Sequence, residues 1–276
     1  MSSLPAHILL RRALESARTL KGVARPLTFV TCGYDTTFAD LEQQVYRKLA
    51  QIQATYHDAL PWRLLIVDDL PHRHRLSDAA QRAAHRRGVS DRLTLEDANA
   101  PRLEDGRHKG ASIIQGFRRA LGDRPETTIV YVNLNLKVHA GFSAPGVLRV
   151  WNEGHDAAIG TRAREEGGYV RGAGRLGRAK SAGFNSLVAS VLPAIGRYRD
   201  TNAPMKVFSP RAAALLASEA VNSHITMDVE WLLLLHREGM DPVRYPVVWT
   251  QRPGSRPPWN RVPASAFDVL KMRSRF

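Results

Sequence analysis

Several places in this sequence carry side chains whose types and spacing suit chemistry. Asp68-Asp69 stand where an apolar run, Trp62 to Val67, comes to an end. Carboxylates at such an end can accept hydrogen bonds from the amides and hydroxyls of a ligand. Asn133 and Asn135 close another run, Thr127 to Leu136, and at i, i+2 on a strand they share one side. Lys109-Gly110 precede helical spacing, so a cation and backbone N–H groups together favour an anion there. Asp228 and Glu230 open a further helical stretch, as dipole partners or as a general base for a hydroxyl. At i, i+2 on a helix they diverge, so one of them faces a site, and Asp228 is preferred. Between Arg162 and Gly183 lie Gly167, Gly168, Gly172, Gly174 and Gly177 with Arg162, Arg164, Arg171, Arg175, Arg178 and Lys180. That composition suits a solvated flexible segment or a loop ordered by phosphate groups.

The elements that must position these groups follow from periodicity. Pro5 to Leu20 predicts a helix, leading into a linker that ends at Pro26. Leu27 to Thr31 predicts a strand, and Phe38, Leu41, Val45, Leu49 and Ile52 predict a helix capped by Thr37. Trp62 to Val67 is the next strand, Ser77 to Gly88 a helix, and Arg92 to Leu95 a short strand. A helix from Lys109 to Gly122 precedes the strand Thr127 to Leu136, whose unbroken apolar character suits burial on both faces. Later strands are expected at Ala157–Thr161, Met205–Phe208 and Val243–Trp249, and helices at Phe184–Tyr198, from Ser209-Pro210, and at Asp228–Glu238. Gln251 to Pro263 reads as a tail lying over the surface. Such alternation defines an α/β protein with a mostly parallel central sheet flanked by helices. In sheets of this kind ligands bind at the carboxyl ends of the strands.

Composition limits the function classes. At 276 residues with 43% apolar content the chain can bury a sizeable core. One cysteine, Cys32, excludes an internal disulfide framework and fits a reducing, cytoplasmic compartment; without a base partner it reads as packing. No apolar run is long enough to span a bilayer, and residues 1–20 do not read as a signal peptide. Forty Lys+Arg against 26 Asp+Glu give a charge of +14, which predicts an anionic partner or an anionic membrane face. His72-Arg73-His74 lack the further ligands a metal needs.

The order of these motifs resembles the family 2 glycosyltransferases of GT-A fold. Within it, Ile159-Gly160-Thr161-Arg162, Asp200 to Phe208, Asp228-Val229-Glu230-Trp231-Leu232 and Val247-Val248-Trp249 with Gly254-Ser255-Arg256 resemble the dolichyl-phosphate glucosyltransferase and polyprenyl-phosphate mannosyltransferase branch. The resemblance covers residues 27–256. It implies a nucleotide-binding half (27–136) and an acceptor half (137–256), between an N-terminal helix with linker (1–26) and a C-terminal tail (257–276). It implies a hexosyltransferase that inverts the anomeric centre by single displacement, using a nucleoside-diphosphate sugar (a UDP- or GDP-hexose). Tyr34, Asp35, Asp68, Asp69 and Lys109 would hold the nucleotide. Asn133, Asn135, Arg162, Arg175 and Arg178 would meet the diphosphate and sugar, Asp200 and Lys206 would lie on the acceptor side, and Asp228 or Glu230 would act as base. The acceptor, anionic or a lipid phosphate, is not legible.

One departure matters. The family places Asp-x-Asp, which holds Mg²⁺ or Mn²⁺ on the diphosphate, where this chain has Asn133-Leu134-Asn135. Neutral amides are poor replacements for the anionic ligands of a hard cation. Three readings stay open: a metal-independent transferase that uses its Arg-rich loop for charge, a transferase with an unusual acceptor, and a degenerate protein that only binds. Two rival classes rest on less. Gly172-Ala173-Gly174-Arg175-Leu176-Gly177 matches a dinucleotide fingerprint, but no strand is expected directly before it. A nucleic-acid-binding protein would suit the charge, but the basic residues are scattered and no stacking-aromatic motif accompanies them.

Overall fold

The computed structural model describes residues 5–20, 25–33, 40–56, 60–69, 75–98, 109–172, 174–224, 226–251 and 261–276. The strands are β1 (Leu27–Cys32), β2 (Trp62–Asp68), β3 (Leu93–Asp97), β4 (Thr128–Val132), β5 (Ala157–Thr161), β6 (Tyr169–Arg171), β7 (Met205–Phe208), β8 (Val243–Pro246) and β9 (Val248–Thr250). The helices are α1 (Ala6–Thr19), α2 (Leu41–Tyr56), α3 (Arg75–Arg87), α4 (Lys109–Asp123), α5 (Ser143–Asn152), α6 (Arg175–Val191), α7 (Pro210–Glu219), α8 (Met227–Arg237) and α9 (Arg261–Arg275). Seven strands form one sheet in the order β3-β2-β1-β4-β7-β5-β8, and β6 pairs with β9 in a small second sheet. Within the large sheet only β7 runs antiparallel to its neighbours, β4 and β5. The C-terminal ends of β1, β2 and β4 therefore open on the same edge.

Both faces of the sheet are covered, which is why its central strands are apolar on successive positions. Leu27, Phe29, Leu64, Ile66, Val130 and Val132 face a core shared with α1, α2, α3 and α5. Val30, Cys32, Leu65, Val67, Ile129 and Tyr131 face α4, α7 and α8. Helix α8 lies between that second core and a third, built with α6 and α9. It is buried from Met227 to Leu235, so Asp228 and Glu230 are drawn into the interior and must find partners. Among the described residues no helix is long and apolar enough to cross a membrane.

Several expected elements change. The long central strand stops at Val132, and Asn133 and Asn135 lie beyond it in a turn. Their facing is therefore set by hydrogen bonds and not by strand alternation. Helix α5 was not anticipated. Its Pro145 sits in the first turn, where no N–H is missed, and a side chain at Gly146 would press within 2.7 Å of Val207 Cγ2. The glycine-rich stretch is not one loop: it holds β6, and α6 opens at Arg175, nine residues before the expected start. A strand thus does directly precede Gly172, contrary to expectation. It belongs to the small β6–β9 sheet, outside the βαβ unit that a dinucleotide fingerprint needs. The last strand divides into β8, paired with β5, and β9, paired with β6; Val247 between them donates to the Thr161 carbonyl and accepts from the Tyr169 N–H. The expected surface tail carries α9, whose Val269 and Met272 are buried.

Candidate active site

Asp69 stands just past β2, beside the end of β1. Both of its carboxylate oxygens are buried with no well-formed hydrogen bond. The Cys32 thiol and the Gly33 N–H lie close enough to lower its pKa in part, but that N–H is committed to the Val67 carbonyl at 3.3 Å. Burial dominates and raises the Asp69 pKa from 3.8 to about 6. Cys32 is thus not only packing, since it flanks this carboxyl. The neighbouring Asp68 is itself buried and accepts from Ser77 Oγ at 3.4 Å. Tyr34 and Asp35 lie outside the described residues.

Tyr131, on β4, is buried against Trp231, whose ring also meets Phe117 and Phe208 at centroid distances of 5.5–5.8 Å. This aromatic floor supports a polar cluster. Burial pushes the Tyr131 phenol up, and Lys109, which hydrogen-bonds it, pulls partly back. The phenol donates to Asn133 Oδ1 at 3.0 Å. Lys109 Nζ and Lys206 Nζ lie 5.5 and 5.6 Å from the Tyr131 ring centroid. Lys206, fully buried, donates to Asp228 Oδ1 at 2.6 Å and to the Ala203 carbonyl at 2.7 Å. Burial lowers the Lys206 pKa and Asp228 opposes that shift.

Asp200 is the anchor of the next pair. Its oxygens accept from Arg162 N at 2.8 Å, Nε at 2.9 Å and a terminal nitrogen at 2.6 Å. Burial would raise the Asp200 pKa, and Arg162 outweighs it and holds the carboxyl low. The Arg162 guanidinium and Lys137 Nζ both sit over the Trp249 ring, at 5.1 and 5.3 Å. Lys206 and Asp200, expected on the acceptor side, thus meet Asp228 and Arg162 in one charged cluster. Arg175 and Arg178 fall in the first turn of α6, not in a loop, and their side chains lie outside the described residues.

Glu230 has a different environment. Its carboxylate accepts from the backbone N–H groups of Val221 and Asn222 and pairs with Arg275 of α9. The segment it pins receives the first turn of α4: Gly110 N–H donates to the Ser223 carbonyl at 2.9 Å. A Cβ at Gly110 would come within 2.1 Å of the Asn222 carbonyl oxygen. Glu230 therefore positions Lys109 through two contacts; both its oxygens are committed to backbone N–H groups and Arg275, whereas Asp228 is held by Lys206 at Oδ1. Glu230→Ala leaves two N–H groups and Arg275 without their acceptor. We expect a loss of about 3–5 kcal/mol and faster hydrogen exchange in residues 221–224 and 261–275. Unchanged exchange there would show that the carboxylate is not the clamp.

A divalent cation on a diphosphate takes hard oxygen ligands. Here Asn133 Oδ1 already accepts from Tyr131, and Asn135 Oδ1 accepts from Lys137 N–H at 3.2 Å. Among the described residues no three His, Cys, Asp or Glu side chains group to hold a metal. The residues at the end of β4 do not fit the cation that Asp-x-Asp would hold. Lys137, Tyr131 and Trp249 were missed by sequence reasoning. Lys137 follows the Asn pair by two residues, a spacing that marks it in the sequence.

The seven-stranded sheet with its single antiparallel strand β7, and a polar cluster at the strand ends, define a GT-A nucleotide-sugar transferase fold. Solved structures of glucosyl-3-phosphoglycerate synthase from Mycobacterium tuberculosis share it. The complex with Mn²⁺, UDP-glucose and phosphoglyceric acid is 15% identical, with a TM-score of 0.61, over 95% of this chain and 83% of that one. The UDP complex is 16% identical, TM-score 0.61, over 100% and 86%. The phosphoglyceric acid complex is 18% identical, TM-score 0.59, over 94% and 82%. No family model and no curated protein matches the sequence.

Proposed function

We propose that the chain is a hexosyltransferase that binds a nucleoside-diphosphate hexose across the ends of β1, β2 and β4 and transfers the hexose to a phosphate-bearing acceptor. The observation that carries this reading is Asp69, a buried carboxyl at the strand ends whose oxygens make no well-formed hydrogen bond, with the Cys32 thiol and the Gly33 N–H nearby. A buried acceptor so weakly bonded is costly, and the N–H of a base or the hydroxyls of a ribose would satisfy it. In the transfer, the acceptor oxygen bonds to the anomeric carbon as the bond from that carbon to the diphosphate oxygen breaks, inverting the centre. The acceptor's proton passes to Asp228, whose orientation Lys206 fixes. The diphosphate leaves with the bonding electrons. The +14 charge and the phosphoglyceric acid bound by the structural neighbours support an anionic acceptor.

Calorimetric titration with UDP, GDP, CDP and dTDP tests the donor site. One of them should bind at pH 7. Because a ligand N–H or O–H needs the ionised carboxylate, and Asp69 takes up a proton near pH 6, affinity should fall about tenfold for each pH unit below that. Absence of binding by all four would sink the reading. Turnover of the matching nucleotide hexose with 3-phosphoglycerate, or with a polyprenyl phosphate in detergent, then separates a small acceptor from a lipid one.

A further inference from the structure

Resting on the transferase reading, we propose that the donor diphosphate is held directly by Lys109, Lys137 and the side-chain amide of Asn135, where a divalent cation would otherwise mediate. The Asn135 amide is the sharpest indication. Its Oδ1 accepts from the Lys137 backbone N–H, a group that can only donate. The amide orientation is thereby fixed, and Nδ2 is left buried without a hydrogen-bond partner in a side chain only 4% exposed. An amide NH₂ has no lone pair to offer a cation. It is a good donor to a phosphate oxygen, and an unpaired buried donor gains from meeting one.

Asn133 repeats the pattern. Its Oδ1 is turned to the Tyr131 phenol, so its nitrogen is the atom left to other groups. Lys109 hydrogen-bonds the same phenol, forming a relay from ammonium to phenol to amide. The charges agree with this polarity. Asp200 and Asp228 are matched by Arg162 and Lys206. Lys109 shares the Tyr131 ring with Lys206, which places its ammonium beside this cluster. Lys137 is nearly buried and lies over the same Trp249 ring as Arg162. In such surroundings a charge contact is much stronger than in water.

The test is calorimetry on the full chain with the four nucleoside diphosphates and their parent nucleosides, in EDTA and again with Mn²⁺. The diphosphate that binds should do so in EDTA within about threefold of its affinity with Mn²⁺. Lys109→Gln and Lys137→Gln should each weaken it at least tenfold and leave the nucleoside unchanged. Asn135→Asp should weaken diphosphate binding in EDTA and make it respond to Mn²⁺. Wild-type binding that requires Mn²⁺, or binding in EDTA that both Lys variants retain, would overturn the inference and leave the transferase reading standing. Failure of every nucleotide in both conditions would remove that reading and this inference with it. The wild-type comparison requires no variant to fold.

Discussion

Asp228→Asn is expected to reduce hexose transfer by roughly a hundred- to ten-thousand-fold, the usual contribution of a positioned base, while nucleotide binding persists. It should also destabilise the protein. Lys206 is 1% exposed and its ammonium faces the Asp228 carboxylate at 2.6 Å. Neutralising the carboxylate leaves a buried cation without its counter-charge, at a cost of about 3–5 kcal/mol. The two effects can be separated. In Asp228→Asn/Lys206→Met the buried charge is removed with its partner, so most of the lost stability should return. Transfer should not return, because the proton still has no acceptor. Urea denaturation and initial rates on the single and double variants measure both. Transfer by the double variant within tenfold of wild type would show that Asp228 only holds Lys206.

The second large effect concerns Asp69 and runs in the opposite direction for stability. Its carboxyl titrates at about 6 when folded against an ordinary 3.8. Between those values the unfolded chain is ionised while the folded chain keeps its proton. Stability therefore falls as pH rises through this window, and the full penalty is present above about pH 6. The displacement corresponds to at most roughly 3 kcal/mol. Asp69→Asn should thus be more stable than wild type at pH 7, with the difference closing by pH 4. The same variant should bind the nucleoside diphosphate roughly a hundredfold more weakly and lose the pH dependence of binding. A variant less stable at pH 7, with unchanged affinity, would mean that the carboxyl is structural. Melting curves at both pH values, beside one titration, decide this.

The architecture was legible because its signals are local. Strands of β-branched residues alternate with helices whose apolar residues recur every three or four positions, which specified β1, α2, β2, α4, β7, α7 and α8 closely. Helix α5 was hidden by Pro145 and Gly146, which read as breakers until Val207 and Tyr245 are seen filling the space that a side chain at position 146 would need. Helix α9 was hidden in the expected tail. Its burial depends on α6 and α8, which lie far from it in the sequence.

The candidate site divides in the same way. The sequence alone determined which polar side chains stand at the ends of these elements: Asp69 after β2, Asn133 and Asn135 after β4, Lys109 at the start of α4, and Asp228 at the start of α8. From the resemblance came the expectation that amides stand where that family has carboxylates. Only the tertiary structure decided which groups are committed. Glu230 and Asp228 are two residues apart on one helix, yet one clamps backbone N–H groups and an arginine while the other faces Lys206. Lys137 and Arg162 become neighbours only where β9 brings Trp249 between them. Residue type is written along the chain. Burial and partnership, which set the charge state and direction of each polar group, arise from contacts between segments that spacing in the sequence does not encode.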